Sequence, residues 1–450
     1  MTGKKILVFI AILVVAIGVY LFVVAARGPM DFAGGKTVKL ADYKEANPTG
    51  APAELAGASL VARGEYLTKA ADCAACHTVE GGQEFAGGRA FHLPFGTLYT
   101  PNITPDKETG IGDWTDAQFL RAVHEGIAED GSRLYPVFPY ASYTYLADED
   151  VLAIKAYLFS LPPVHAPERE SDLKFPYNQR WLMGLWSAVF REGDRFEPNT
   201  GQSAAWNRGA YLVEALGHCG DCHTPRSALQ GLNQRKKFAG SVAAGWHAYN
   251  ITSDKDSGIG AWSDEDLEHY LSTGHSHGRG SASGPMDEVV DLSLSNLAAN
   301  DIAAIVTYVR TIPAQSGEDS PPLRTEPAPA SHLAGIQGEG DARGKQVYAG
   351  ACASCHDWTG VSPLAPEATL VGRRTVNDPS GVNVVQVVAS GEDHGAHHAL
   401  HMPRFGASYS DTEIASVANY VVERFGGHTP NLTADEVADL RWQAETGDKD

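Results

Sequence analysis

The sequence predicts a mainly α-helical chain: three similar units in tandem, preceded by one N-terminal transmembrane helix. Three observations predict it. A cysteine pair followed at once by histidine occurs three times, an amphipathic helical pattern follows each pair, and an uncharged apolar run opens the chain. The 450 residues leave room for about three domains at ~150 residues each.

The opening run lies between Lys5 and Arg27: Ile6 to Ala26, 21 residues without a charge. A bilayer crossing needs ~20 apolar residues, whereas the core of a cleavable signal runs only ~7–15. Residues 1–30 are therefore expected to be a retained anchor, with Val24-Ala25-Ala26 as the cleavage site in the alternative. Lys4 and Lys5 precede the span, which places the tail in the cytoplasm and the body outside, on the periplasmic face of a bacterial inner membrane. A net charge of −20 argues against nucleic acid as a partner.

The six cysteines form three pairs: "CAACH" at 73–77, "CGDCH" at 219–223 and "CASCH" at 352–356. Two thiols two residues apart can add to the two vinyl groups of one haem, and the next residue then offers its imidazole to the iron. This is the attachment signature of haem c. A zinc site would need two pairs acting together, yet these pairs lie 146 and 133 residues apart, each with its own histidine. Cys73, Cys76 and His77, Cys219, Cys222 and His223, and Cys352, Cys355 and His356 are thus expected to hold three covalently bound haem c groups.

Ahead of each site stands an Arg-Gly pair, at 63–64, 208–209 and 343–344, followed by Tyr66, Tyr211 or Tyr348. After each site, "VLAIKAYL" at 151–158, "IAAIVTYV" at 302–309 and "IASVANYV" at 414–421 repeat one apolar face at helical spacing. Asp150, Asp301 and Glu413 precede these runs, where the helix dipole favours acids. A glycine-bearing helix crossing a later helix with an aromatic suits a small cytochrome c. The fold expected is three tandem cytochrome c domains, each with one haem in its own core, at 58–165, 200–315 and 338–426. "NITPDKETGIGDW" at 102–114 matches "NITSDKDSGIGAW" at 250–262, so the first two are close relatives and the third has diverged. Residues 166–199 are an aromatic linker, for packing between domains or for contact with a partner or membrane. Residues 316–337 read as a Pro-rich flexible tether. Residues 427–450 read as a polar tail with a short helix after Thr433.

An attached iron takes a second axial ligand. Met286 in "SASGPMDEVV" and Met402 in "HMPRFGASYSD" lie in proline-containing loops before the closing helices of the second and third domains. His/Met ligation raises the potential and is the usual electron-transfer arrangement. The first domain has no methionine: its loop "YPVFPYASYTY" carries Phe138 instead. His124 and His92 are the candidates for its iron, and an open position is the alternative. The histidines at 394, 397, 398 and 401, and His275 and His277, read as solvated loop residues.

These motifs, with "QSAAWNRGAYLVEALGHCGDCHTPR" at 202–226, resemble the three-haem cytochrome c subunit of membrane-bound alcohol, aldehyde and gluconate dehydrogenases of acetic acid bacteria and other proteobacteria, over residues 58–426. The resemblance implies a non-catalytic electron-transfer subunit. It implies a separate periplasmic catalytic subunit with a molybdenum cofactor, flavin or pyrroloquinoline quinone, a small iron–sulfur subunit in some complexes, and ubiquinone as acceptor. Phe138 and the N-terminal anchor lean the complex toward aldehyde oxidation. A free-standing carrier between respiratory complexes and a peroxidase-like enzyme with an open first haem are the competing readings.

Overall fold

The computed structural model describes residues 3–25, 57–191, 195–316, 323–329, 342–392 and 401–444, with residues 52, 55, 193 and 321 besides. In chain order the longer helices are α1 (Gly3–Ala25), α2 (Leu60–Ala70), α3 (Asp116–Glu125), α4 (Asp148–Leu158), α5 (Leu182–Phe190), α6 (Ala204–Tyr211), α7 (Asp264–Thr273), α8 (Pro285–Leu292), α9 (Ala299–Val309), α10 (Ala342–Val347), α11 (Val382–Ser390), α12 (Asp411–Val421) and α13 (Ala434–Ala444). Between them lie short antiparallel pairings: β1 (Ala90–Leu93) with β2 (Gly96–Tyr99) and then β3 (Asp172–Leu173), β4 (Ser241–Ala243) with β5 (Trp246–Ala248), and β6 (His275–Ser276) with β7 (Gly280–Ser281).

Three helix crossings organise the chain: α2 on α4, α6 on α9 and α10 on α12. A glycine sits at each crossing. A Cβ on Gly64 would collide with the Ala153 carbonyl, one on Gly209 with the Ala304 carbonyl and one on Gly344 with the Ser416 carbonyl. Local signals start the helices. Ser59 and Ser203 accept from the backbone N–H three residues on, and capping boxes open α3 (Thr115 with Gln118), α7 (Ser263 with Asp266) and α12 (Ser410 with Glu413).

Asp150 and Asp301 do more than favour the dipole. Each is buried in the first turn of its helix and pairs with the arginine of the crossing partner: Arg63 with Asp150, and Arg208 Nε with Asp301 at 2.8 Å. The tyrosine three residues beyond each arginine reaches into the other unit. Tyr211 donates to Asp150 Oδ2 at 2.8 Å and accepts from Ala147 N–H at 3.0 Å. Tyr66 donates to Asp301 Oδ2 at 2.6 Å and accepts from Ala298 N–H at 3.1 Å. The first two units thus exchange equivalent side chains. In the third, Gln346 holds the tyrosine's position and Glu413 is spent on its capping box.

The exchange corrects the expectation of one core per unit. Leu67, Phe85, Ile154, Trp206, Tyr211, Phe238 and Ile305 belong to one continuous core spanning the first two units, and a second core around Tyr348, Val385, Tyr420 and Phe425 serves the third. Outside the repeats, the Pro-rich stretch differs from expectation, whereas the helix expected after Thr433 is present. The described part of the Pro-rich stretch lies along the third unit: Arg324 N–H donates to Asn377 Oδ1 at 2.6 Å, and Ala328 is buried, its N–H on the Thr359 carbonyl at 2.9 Å. The polar tail contains α13, which docks on α12 through the fully buried Val437 and places Trp442 with its ring 4.7 Å from that of His92. An apolar stripe on an otherwise charged segment suffices for such docking.

Helix α1 exposes its described side chains over residues 11–20. Among the described residues no helix is long and apolar enough to cross a membrane, so the expected transmembrane helix is not part of the architecture they define.

Candidate haem-attachment sites

Each CxxCH run forms a single helical turn directly after the glycine-bearing helix of its unit. Burial pushes the thiols of Cys76 and Cys219 up to about 12 and those of Cys222 and Cys352 to about 11. Among the described residues no cluster of three or more His, Cys, Asp or Glu is placed to hold a metal ion.

The histidines are prepared identically. His77 Nδ1 lies 2.8 Å from the Pro101 carbonyl, His223 Nδ1 2.6 Å from the Tyr249 carbonyl and His356 Nδ1 2.6 Å from the Ala368 carbonyl. A carbonyl can only accept, so Nδ1 carries the proton and Nε2 keeps its lone pair. Burial lowers the affinity of all three rings for a second proton. This is the tautomer a proximal iron ligand needs, and the residues fit haem c.

The doubled "NIT" motif has a role that its sequence did not disclose. Pro101 and Tyr249 immediately precede Asn102 and Asn250, and those asparagines fix the loop. Asn102 donates to the Val164 carbonyl at 2.7 Å and accepts from Thr104 N–H, while Asn250 donates to the Gln315 carbonyl at 2.6 Å and accepts from Thr252 N–H. The motif therefore anchors the carbonyl that orients the histidine. The recurrence of the motif one residue after each acceptor was the only signal available.

Several contacts join the units near the sites. Ser142 of the first unit donates to Asp221 in the second attachment turn at 3.0 Å, and Arg89 spans from the Ala75 carbonyl (2.5 Å) to Glu288 on α8 (2.8 Å). Burial, with the Glu288 carboxylate nearby, lifts the Asp72 carboxyl to about 8. Tyr249 and His247 both reach Asp378 of the third unit, at 3.2 and 2.7 Å. Ser283, three residues before Met286, donates to Glu392, which is bridged through its backbone to Met402 in both directions at 3.0 Å. Met286 lies not in a loop as expected but in the first turn of α8, whose approach segment thus meets the Met402 loop, and each methionine packs partly buried against its own core.

His124 and His92 are placed otherwise. His124 is buried with Nδ1 2.6 Å from Arg195 Nη2 and 3.7 Å from Asp148. His92 on β1 faces Thr97 Oγ1 at 3.0 Å and stacks against Trp442. His275 is not a solvated loop residue: it is buried in β6, 3.0 Å from Ser281 Oγ and 3.9 Å from Glu367 of the third unit. His277 is exposed. Residues 394, 397 and 398 lie outside the described residues.

Glycine-mediated helix crossings over CxxCH turns, each with its histidine oriented through Nδ1, define a c-type cytochrome. Comparison with known proteins agrees and goes further. Residues 61–162 match the family described as cytochrome c, and residues 339–421 that described as cytochrome c oxidase, cbb3-type, subunit III. The chain is 40% identical to the fructose dehydrogenase cytochrome subunit of Gluconobacter japonicus, over 85% of this chain and 82% of that one. It is 38% identical to the gluconate 2-dehydrogenase cytochrome c subunit of Pantoea cypripedii, over 85% and 90%, and 34% identical to the cytochrome c subunit of alcohol dehydrogenase (quinone) of Gluconobacter oxydans, over 87% and 84%. The chain belongs to this family of dehydrogenase cytochrome c subunits.

Proposed function

We propose that the chain carries three haem c groups and passes electrons from a separate catalytic dehydrogenase subunit to ubiquinone, at the periplasmic face of a bacterial inner membrane. Haem c, when bound, supplies reversible one-electron transfer. The protein holds each group by two cysteines, presents Nε2 of His77, His223 or His356 to the iron, and offers Met286 and Met402 as second ligands in the second and third units. The observation that carries the reading is continuity: Ser142 of the first unit meets Asp221 in the second attachment turn, and Ser283, three residues before Met286, is tied through Glu392 to Met402.

The membrane location is supported by the uncharged run from Ile6 to Ala26 and by an apolar surface near it. Helix α5 approaches α1, and Trp181, Leu185 and nearby Phe175 are 65%, 61% and 79% exposed. Such a surface also suits a catalytic or iron–sulfur partner subunit. Aldehyde is the substrate favoured by Phe138 in its loop, with a molybdenum-type catalytic subunit, although the relatives' names include fructose, gluconate and alcohol. Purification from native membranes, with partner masses and a haem count by pyridine haemochrome, tests the proposal. Co-elution with a large dehydrogenase subunit and three haems per chain is expected. A chain that elutes alone points to a free carrier and overturns it.

A further inference from the structure

The loops that follow α3 and α7 are built in one register. Each helix ends at a left-handed glycine, Gly126 (φ 64°) or Gly274 (φ 76°). Eight residues on, a backbone N–H returns to that glycine's carbonyl: Leu134 to Gly126 at 2.8 Å, and Ala282 to Gly274 at 2.6 Å. Four residues beyond those closures stand Phe138 and Met286. Phe138 therefore occupies the place of the second unit's methionine. Its ring lies 5.5 Å from that of Tyr143, whose hydroxyl donates to the Ala71 carbonyl at 2.8 Å, just ahead of Cys73. A benzyl ring thus stands at the first attachment turn where a thioether is expected, and it offers no lone pair.

Neither histidine replaces it. His124 Nε2 is buried without a hydrogen bond among the described residues, as a ligand atom would be. However, Arg195 can only donate, so Nδ1 must accept and the ring's proton sits on Nε2. That is the opposite tautomer to His77, His223 and His356. His124 also lies two residues before Gly126, and its counterpart Ser272 turns its hydroxyl back to the Glu268 carbonyl on the exposed face of α7. His92 lies on β1, outside the loop that carries Phe138, with Nδ1 at Thr97 Oγ1 and its ring against that of Trp442.

We infer that the iron of the first haem has no side-chain ligand opposite His77 and that Phe138 leaves that position open to a small exogenous ligand, the diatomic gases being the class that fits beside a ring. The inference rests on haem attachment at Cys73 and Cys76, which the haemochrome count tests separately. The experiment titrates the dithionite-reduced full-length chain with carbon monoxide and reads the Soret difference spectrum, with electron paramagnetic resonance of the oxidised protein as spin-state readout. Expected are one carbon monoxide bound per chain and one high-spin ferric haem beside two low-spin ones. Phe138→Met should abolish both and add a third methionine-ligated signal. Three low-spin haems with no carbon monoxide uptake overturn the inference. So does uptake that persists unchanged in Phe138→Met, which would place the open iron elsewhere. A low-spin first haem that turns high-spin in His124→Ala would assign His124 as ligand and equally refute it.

Discussion

Tyr211→Phe removes one oxygen atom and tests whether the first two units stand or fall together. Tyr211 and Asp150 are both fully buried. The lost hydroxyl donates to Asp150 at 2.8 Å and accepts from Ala147 N–H at 3.0 Å. A hydrogen bond to a charged group contributes ~1.5–3 kcal/mol, and a buried donor left without a partner costs ~1–3 kcal/mol. The two effects overlap, so a loss of about 3 kcal/mol is expected. Burial lifts the Asp150 carboxyl to about 6 against the pull of Arg63, so the measurement belongs at pH 8, where it is ionised. Urea unfolding of the holoprotein, followed by tryptophan fluorescence and haem absorbance, reads the cost. Tyr348→Phe is the control, because that hydroxyl donates only to the Asp357 carbonyl within the third unit, a neutral bond worth about 1 kcal/mol. A Tyr211→Phe cost no larger than the control's would refute the coupling. A first unit that unfolds before the second in the wild-type protein would refute it as well.

Further outcomes follow from the same geometry. Gly209→Ala drives a methyl into the Ala304 carbonyl and should destabilise the protein by about 1–3 kcal/mol or more, a cost typical of overpacking, read as a lowered urea midpoint. Met402→Ala should convert one low-spin haem to high spin and lower its potential, read by electron paramagnetic resonance and redox titration; an unchanged spectrum removes Met402 as ligand. His124 is held neutral down to about 4, first by burial and then by Arg195. Its folded pKa lies below the unfolded value of ~6.5, so the unfolded chain takes the proton first and stability falls as pH drops from ~6.5 toward 4, by about 3 kcal/mol in all. Unfolding at stepped pH should show that slope in the wild type and a shallower one in His124→Asn.

The parts of this molecule readable from sequence were those written locally. Cys-x-x-Cys-His is one turn of chain, the closing helices show their apolar face within eight residues, and Gly64, Gly209 and Gly344 stand in repeated surroundings. The exchange of Tyr66 and Tyr211 was not legible, because it joins residues 235 and 61 positions apart and depends on how two units pack. His124 looked like a ligand for a similar reason. What commits its Nδ1 is Arg195, 71 residues on, in a linker whose aromatic residues drew attention instead. The C-terminal segment was judged by its charged majority, whereas Val437 and Trp442, five residues apart, decide where it binds. Local pattern thus marks candidate residues, and long-range packing decides how each of them is held.

The carbonyls behind His77, His223 and His356 have a consequence for how such a chain can be tuned. A peptide oxygen is present whatever side chain the position carries, so substitution at Pro101, Tyr249 or Ala368 changes the push on the imidazole little. All three rings meet the same acceptor at 2.6–2.8 Å. The setting of each histidine is then a constant, and what distinguishes the units must lie elsewhere, as where the first has Phe138 and the second Met286 in the same register.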